Sequence, residues 1–110
     1  MKWMAAVLLL ALGSAAGAAE PASVTVHRLT GEGVGEALGT IEISSYRSGS
    51  LLKPDLRGLE PGLHGFHIHA KPNCGPKDGK PGAAAGGHFD PEDTGSHEGP
   101  YGEGHLGDLP

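Results

Sequence analysis

The last forty residues constrain the fold of this chain most, because they are too rich in glycine and proline for regular helices or strands. Residues 71–110 contain ten glycines and six prolines. By composition alone such a segment would be a disordered tail, and a long loop is usually either functional or disordered. His88, His97 and His105 lie within it. Metal bonds can supply the order that a small apolar core cannot, so a metal site is the first expectation.

The N-terminus is predicted to be a secretory signal peptide, residues 1–19, which precedes a folded domain of residues 20–110. Lys2 comes before a short apolar run, and a stretch of small residues follows it. This order is typical of a secretory signal, with cleavage at Ala18 or Ala19. A membrane anchor is the alternative, but the apolar run is far shorter than the ~20 residues that span a bilayer. We therefore expect a periplasmic or secreted protein with no membrane attachment after cleavage.

The net charge limits the partners that this chain can bind, and its cysteine content bears on whether the chain is complete. The formal net charge of −5 at pH 7 offers no basic surface for nucleic acid or an anionic membrane. Cys74 is the single cysteine of the 110 residues. A lone cysteine in an exported protein usually implies a partner elsewhere, so we expect the chain to be incomplete.

The region before the glycine-rich segment is predicted to form about four β-strands. They are centred on residues 24–26, 41–43, 51–56 and 63–70. In the first two, valine or isoleucine alternates with polar residues, the pattern of a half-buried strand. The glycine-rich residues 31–36 are predicted to be the turn between them. Pro54 favours an edge position for the third strand.

The strongest local metal signal is His67-Ile68-His69 on the fourth strand. Residues i and i+2 of a strand point to the same face, so both imidazoles can reach one ion. Phe66 and Ile68 then point to the other face. Two solvent-facing histidines on an exposed strand are the alternative, and the pattern alone does not decide between the two.

A second metal signal follows in the loop, where three histidines and an aspartate are separated by 8, 7 and 2 residues. They are His88, His97, His105 and Asp108. The glycines around them allow the backbone to fold tightly, so that dispersed side chains converge. Three imidazoles and a carboxylate suit tetrahedral zinc, and four protein ligands leave no open position, as in a structural site. A solvated linker that contains histidines is the alternative.

Four short segments carry these residues in a fixed order along the chain. They are residues 62–69 (GLHGFHIH), 86–91 (GGHFDP), 97–100 (HEGP) and 104–110 (GHLGDLP). Together they resemble the bacterial copper/zinc superoxide dismutases. The resemblance implies an all-β, Greek-key sandwich or barrel, of which about the first four strands and the long metal-binding loop are expected here. It also implies an enzyme that converts superoxide to dioxygen and hydrogen peroxide at a copper site bridged to structural zinc.

The resemblance also assigns roles to individual residues. The implied copper ligands are His67, His69 and His88, and the implied zinc ligands are His88, His97, His105 and Asp108. His88 would be the bridging imidazolate and the catalytic proton donor. Cys74 would be half of an intrasubunit disulfide whose partner is absent from this sequence. His64 matches a position that is not a ligand and would form a structural hydrogen bond.

Three further features that the resemblance implies are expected beyond residue 110. They are a fourth copper histidine, an arginine that orients superoxide, and a second cysteine. We therefore expect this chain to be a truncated, weakly active or inactive form. The alternative function is a non-catalytic zinc- or copper-binding module outside the cytoplasm. A homodimer is possible, and the sequence does not decide the oligomeric state.

Overall fold

The computed structural model describes residues 20–110, so the predicted signal peptide lies outside the described residues. Within this part of the chain there are five β-strands and a single 3₁₀ turn. The strands are β1 Ala22–Thr30, β2 Gly33–Tyr46, β3 Gly49–Leu56, β4 Phe66–His67 and β5 Asp108–Leu109, and the 3₁₀ turn is Ala83–Ala85. No helix among the described residues is long and apolar enough to cross a membrane. The predicted all-β class is confirmed.

The first three strands form an antiparallel sheet in the order β1-β2-β3, joined by two tight hairpins. Thr30 pairs with Gly33, and Tyr46 pairs with Gly49, so each loop has two residues. The hydroxyl of Thr30 accepts the backbone N–H groups of Glu32 and Gly33, both at 3.2 Å. The predicted six-residue turn at 31–36 is therefore wrong in extent, because this hydroxyl closes a shorter turn and β2 begins at Gly33.

Pro54 lies where the sequence predicts it, on an edge of the sheet. β3 is the last strand of the three and pairs with β2, so that Pro54 stands opposite Ile41. Proline has no N–H to donate to a further strand and is therefore tolerated at an edge.

The register gives the sheet one apolar face and one polar face. Ile41 stands between Val24 and Pro54, whereas Glu42, on the other face, stands between Ser23 and Lys53. Residues directly opposite each other in a sheet share a face. No apolar side chain within residues 20–110 is fully buried, and Asp108, at 5% exposure, is the single buried side chain there. Apolar burial is therefore small in this part of the chain, as its composition predicts.

The fourth strand is shorter than predicted. It was expected over residues 63–70, but β4 contains two residues, which pair with Asp108 and Leu109 of β5. The backbone N–H of Ile68 then bonds to Gly107, whereas that of Ala70 bonds to Gly87. Because the partner segment changes along it, the chain does not continue as one regular strand. The two sheets do not close into a barrel within residues 20–110.

Candidate metal centre

Three distant segments meet at a closed set of backbone hydrogen bonds. The N–H of Ile68 donates to Gly107 O at 2.8 Å, that of Phe89 to Ile68 O at 2.7 Å, and that of Gly107 to Phe89 O at 2.8 Å. We call this set the backbone triangle. Each of its residues is next to a predicted ligand in the sequence: Ile68 lies between His67 and His69. The triangle thereby brings the ligand-bearing segments to one place.

Gly107 must be a glycine for the triangle to form. A Cβ at this position would overlap the carbonyl oxygen of Ile68 and would lie 2.8 Å from the nitrogen of Phe89. Both atoms belong to backbone that cannot move without breaking the same hydrogen bonds. The sequence predicts only that the glycines of this segment let the backbone fold tightly, and it does not reveal this close approach.

Asp108 is the centre of the predicted zinc set. His88 donates its Nδ1–H to Oδ1 of Asp108 at 2.8 Å. The Nδ1 atom of His97 lies 2.8 Å from Oδ2, and the Nδ1 atom of His105 lies 3.6 Å from the same oxygen. Three imidazoles therefore present the same ring nitrogen, Nδ1, to one buried carboxylate. This donor set is the one that zinc accepts in structural sites.

Two atoms of this set are buried without a hydrogen bond of acceptable geometry, Nδ1 of His105 and Oδ2 of Asp108. Leaving a buried polar atom unpaired costs on the order of 1–3 kcal/mol. A cation between the carboxylate and the imidazoles would satisfy both atoms at once. The residues present therefore fit a bound metal ion.

The local electrostatics keep Asp108 and His67 in the protonation states that bind metal. Burial raises the pKa of Asp108, but the hydrogen bond from His88 and the nearby His97 and His105 outweigh it and hold this pKa below its usual value. Loss of hydration, with the charge of neighbouring His88, lowers the pKa of His67. A carboxylate and a neutral imidazole are the protonation states that metal binding requires.

The predicted copper residues His67 and His69 both contact the ring of His88. The ring of His67 stacks on that of His88, with centroids 3.9 Å apart and planes 17° apart. His69 meets His88 edge-on, with centroids 5.2 Å apart and an 88° interplanar angle. His69 donates Nδ1–H to the carbonyl of Gly86 at 2.8 Å, which leaves its Nε2 free to bind an ion.

All six predicted ligands therefore form one cluster, with His88 in contact with both sides of it. The four tightest members have donor atoms within 4.8 Å of one another. They are His67, His88, His97 and Asp108. His67 is in this group because its ring stacks directly on that of His88. The family resemblance assigns His67 to copper. His105 adjoins the group through Asp108, and His69 adjoins it through His88.

A scan against protein-family profiles matches residues 37–110 to the family described as copper/zinc superoxide dismutase (SODC). The chain belongs to the copper/zinc superoxide dismutase family. It is 51% identical over 109 residues to the copper/zinc superoxide dismutase of Escherichia coli K12, covering 96% of this chain and 62% of the relative. The corresponding Brucella abortus protein is 47% identical over 96 residues, covering 84% of this chain and 56% of the relative. The chain thus spans about three fifths of the length of these curated relatives.

Solved structures of the same family share the fold. The copper/zinc superoxide dismutase of Brucella abortus superposes with a TM-score of 0.75 at 46% identity, covering 83% of this chain and 62% of that chain. A structure from Salmonella enterica, whose title calls it monomeric, has a TM-score of 0.67 at 52% identity. It covers 81% of this chain and 62% of that one. These likenesses confirm the predicted fold type and the family.

Two further histidines, His64 and His27, lie outside the cluster and form hydrogen bonds of their own. His64 donates Nε2–H to Glu60 O at 2.7 Å and holds a turn, in line with its predicted structural hydrogen bond. His27, on β1, donates Nδ1–H to Gly35 O at 3.0 Å. Cys74 is an exposed free thiol, and its predicted disulfide stays a prediction.

Glu98 has a structural role that no sequence motif indicates. Its carboxylate accepts the hydroxyl of Ser96 at 2.8 Å and the backbone N–H of Glu103 at 3.3 Å. The backbone of Ser96 in turn accepts the N–H of His105 at 2.8 Å. These bonds close the loop that carries His97 and His105. The only sequence signal was the presence of an acid within a loop that must bend back on itself.

Proposed function

We propose that this chain binds copper and zinc as a neighbouring pair and forms part of the catalytic unit of an exported superoxide dismutase. The observation that carries the proposal is the convergence of three imidazole Nδ1 atoms on buried Asp108, with two polar atoms there lacking partners. Membership of the copper/zinc superoxide dismutase family supports the same metals and the same reaction.

We assign zinc to the side of the cluster that contains the carboxylate. Its ligands are His88, His97, His105 and Asp108, whose Nδ1 and carboxylate atoms already face one another. Copper belongs on the opposite side, where the ligands are His67, His69 and His88. Imidazole suits copper, and a carboxylate with imidazoles suits zinc.

The reaction consumes two superoxide anions and two protons and yields dioxygen and hydrogen peroxide. Bound copper would supply the one-electron oxidation of one superoxide and the one-electron reduction of the other. The chain's own residues orient the ring of His88 and transfer a proton. Asp108 holds His88 by its Nδ1 side, which leaves Nε2 of His88 to take up and deliver a proton next to the substrate. His69 is exposed, so a small anion reaches this side from solvent.

The alternative proposal is a non-catalytic module that binds zinc or copper outside the cytoplasm. One observation favours it: within residues 20–110 the zinc side offers four donors, whereas the copper side offers three imidazoles. We propose on this ground that the chain alone holds zinc tightly, holds copper more weakly and turns over superoxide slowly. Residues 20–110 as the mature domain, export to the periplasm or outside the cell, and assembly as a homodimer stay proposals.

Metal analysis joined to a superoxide assay separates the two proposals. We expect one zinc and one copper per chain, with weak superoxide consumption that depends on copper. His69→Ala should abolish this consumption and leave zinc content unchanged, because His69 lies on the copper side only. Copper binding without any copper-dependent consumption would favour the module. A chain that binds neither metal would contradict both proposals.

Removal of metal should loosen the loop more than the three-stranded sheet. After treatment with a chelator, the amides of Phe89 and Gly107 are expected to exchange with solvent at least about tenfold faster, because metal bonds contribute to the order of small apolar-poor domains. Amides of β2 paired on both sides, such as that of Ile41, serve as the internal control. Equal acceleration of both groups, or of neither, would contradict the proposed role of the metal.

A further inference from the structure

Asp90 follows His88 by two residues and holds a tight turn. Its Oδ1 accepts the N–H of Thr94 at 3.1 Å and the hydroxyl of Thr94 at 2.9 Å, and its Oδ2 accepts the N–H of Gly95 at 2.9 Å. Bonds of this kind are ordinary turn chemistry for aspartate. They also fix the direction of the carboxylate, which therefore cannot rotate away from its neighbours without breaking the turn.

The fixed carboxylate faces one of the predicted zinc ligands. Oδ2 of Asp90 lies 4.0 Å from Nε2 of His105, and both side chains are largely buried, at 16% and 19% exposure. At this distance the contact is electrostatic and too long for a hydrogen bond. On the other side of the same ring, Nδ1 of His105 is buried, lacks a hydrogen-bond partner and lies 3.6 Å from Asp108. The imidazole of His105 thus stands between two carboxylates.

A neutral imidazole carries its proton on one nitrogen, and the environment of the ring chooses which one. A carboxylate next to Nε2 favours the proton there, which leaves the Nδ1 lone pair for an ion. Metal-bound histidines generally donate their second N–H to a carboxylate, carbonyl or water in this way. In this chain, His69 has such a partner in the carbonyl of Gly86.

We infer that Asp90 is a positioning residue for His105, which holds the proton on Nε2 and so directs Nδ1 toward the zinc ion. This inference rests on the proposed zinc site. It gives Asp90 a second role beside the turn that its two oxygens hold through Thr94 and Gly95.

Asp90→Asn tests the role toward His105. The amide oxygen can still accept from Thr94, but the NH₂ that replaces Oδ2 carries no negative charge toward Nε2 of His105 and also loses the bond from the N–H of Gly95. We expect zinc affinity, measured by competition with a chromophoric chelator, to fall at least about tenfold, the range seen when such outer partners are lost. By ¹H–¹⁵N NMR of the chelator-treated chain, the ring nitrogens of His105 should shift away from the Nε2–H form, while those of His97 keep their positions.

Thr94→Val is the matched control, because it weakens the same turn and leaves the charge that faces His105 in place. It removes the bond from the Thr94 hydroxyl to Oδ1 of Asp90 and the bond from the N–H of Ser96 to that hydroxyl. Its zinc affinity should fall by at most about threefold. Equal losses in the two variants, with the ring signals of His105 unchanged, would overturn the inference and reduce Asp90 to a turn residue. If the unaltered chain binds no zinc, the proposed function fails. The tautomer of His105 in the chelator-treated chain then still tests its dependence on Asp90.

Discussion

Asp108→Ala is expected to remove zinc binding more completely than any other single substitution outside the glycines. The carboxylate is the one anionic donor of the cluster and faces the Nδ1 atoms of His88, His97 and His105. Structural zinc contributes roughly 10–16 kcal/mol of binding free energy in small domains. An even share among four ligands is ~3 kcal/mol, so the dissociation constant should rise by about 100-fold or more. Chelator competition measures this change directly.

Asp55→Ala is the matched control for this substitution. Asp55 is an exposed aspartate on β3, opposite Thr40 in the three-stranded sheet, whereas the predicted zinc ligands lie in the loop and on β5. The Asp55→Ala substitution removes the same charge and side chain as Asp108→Ala but leaves the cluster unchanged. Zinc affinity should therefore stay within about twofold, as for most exposed sites. An Asp108→Ala chain that binds zinc as tightly as the Asp55→Ala chain would contradict the proposed ligand set.

Gly107→Ala is the second substitution with a large expected effect, and it acts through the backbone. The added methyl group would overlap the carbonyl of Ile68 and approach the nitrogen of Phe89, two members of the backbone triangle. Overpacking against backbone and the loss of backbone hydrogen bonds together should cost ~3 kcal/mol or more. In urea denaturation of the zinc-loaded chain, the midpoint should fall and zinc affinity should fall with it.

Gly87→Ala provides the comparison for this backbone effect. Gly87 lies in the same loop, but a Cβ there would meet no atom within 4 Å. The same change of residue type should therefore leave the midpoint nearly unaltered. If the two alanine variants unfold at the same urea concentration, the triangle does not set the position of the ligands.

The sequence predicts the residues that form the cluster better than it predicts the framework that holds them. Imidazole and carboxylate chemistry narrows the choice of site residues, and the spacing of His67 and His69 on a strand already places them together. The alternation of β1 and β2 and the edge position of Pro54 follow from short-range patterns in the same way. Predictions from such short-range patterns are correct because they depend on neighbouring residues alone and not on the rest of the fold.

Contacts between distant segments could not be predicted, since nothing local encodes them. The backbone triangle joins residues 68, 89 and 107 through main-chain atoms that every residue possesses. Glu98 closes the loop of His97 and His105 through bonds that no local pattern indicates. The shortened fourth strand has the same origin, because its backbone partners change from one loop segment to another.

Anomalous X-ray diffraction from crystals of the copper- and zinc-loaded chain, recorded at both metal absorption edges, tests the central claim most directly. Two metal–nitrogen bonds of ~2 Å on either side of one imidazole place the ions about 6 Å apart. We expect one zinc peak beside Asp108 and one copper peak beside His69, with the ring of His88 between them. A single site, or two sites that do not share His88, would contradict the account.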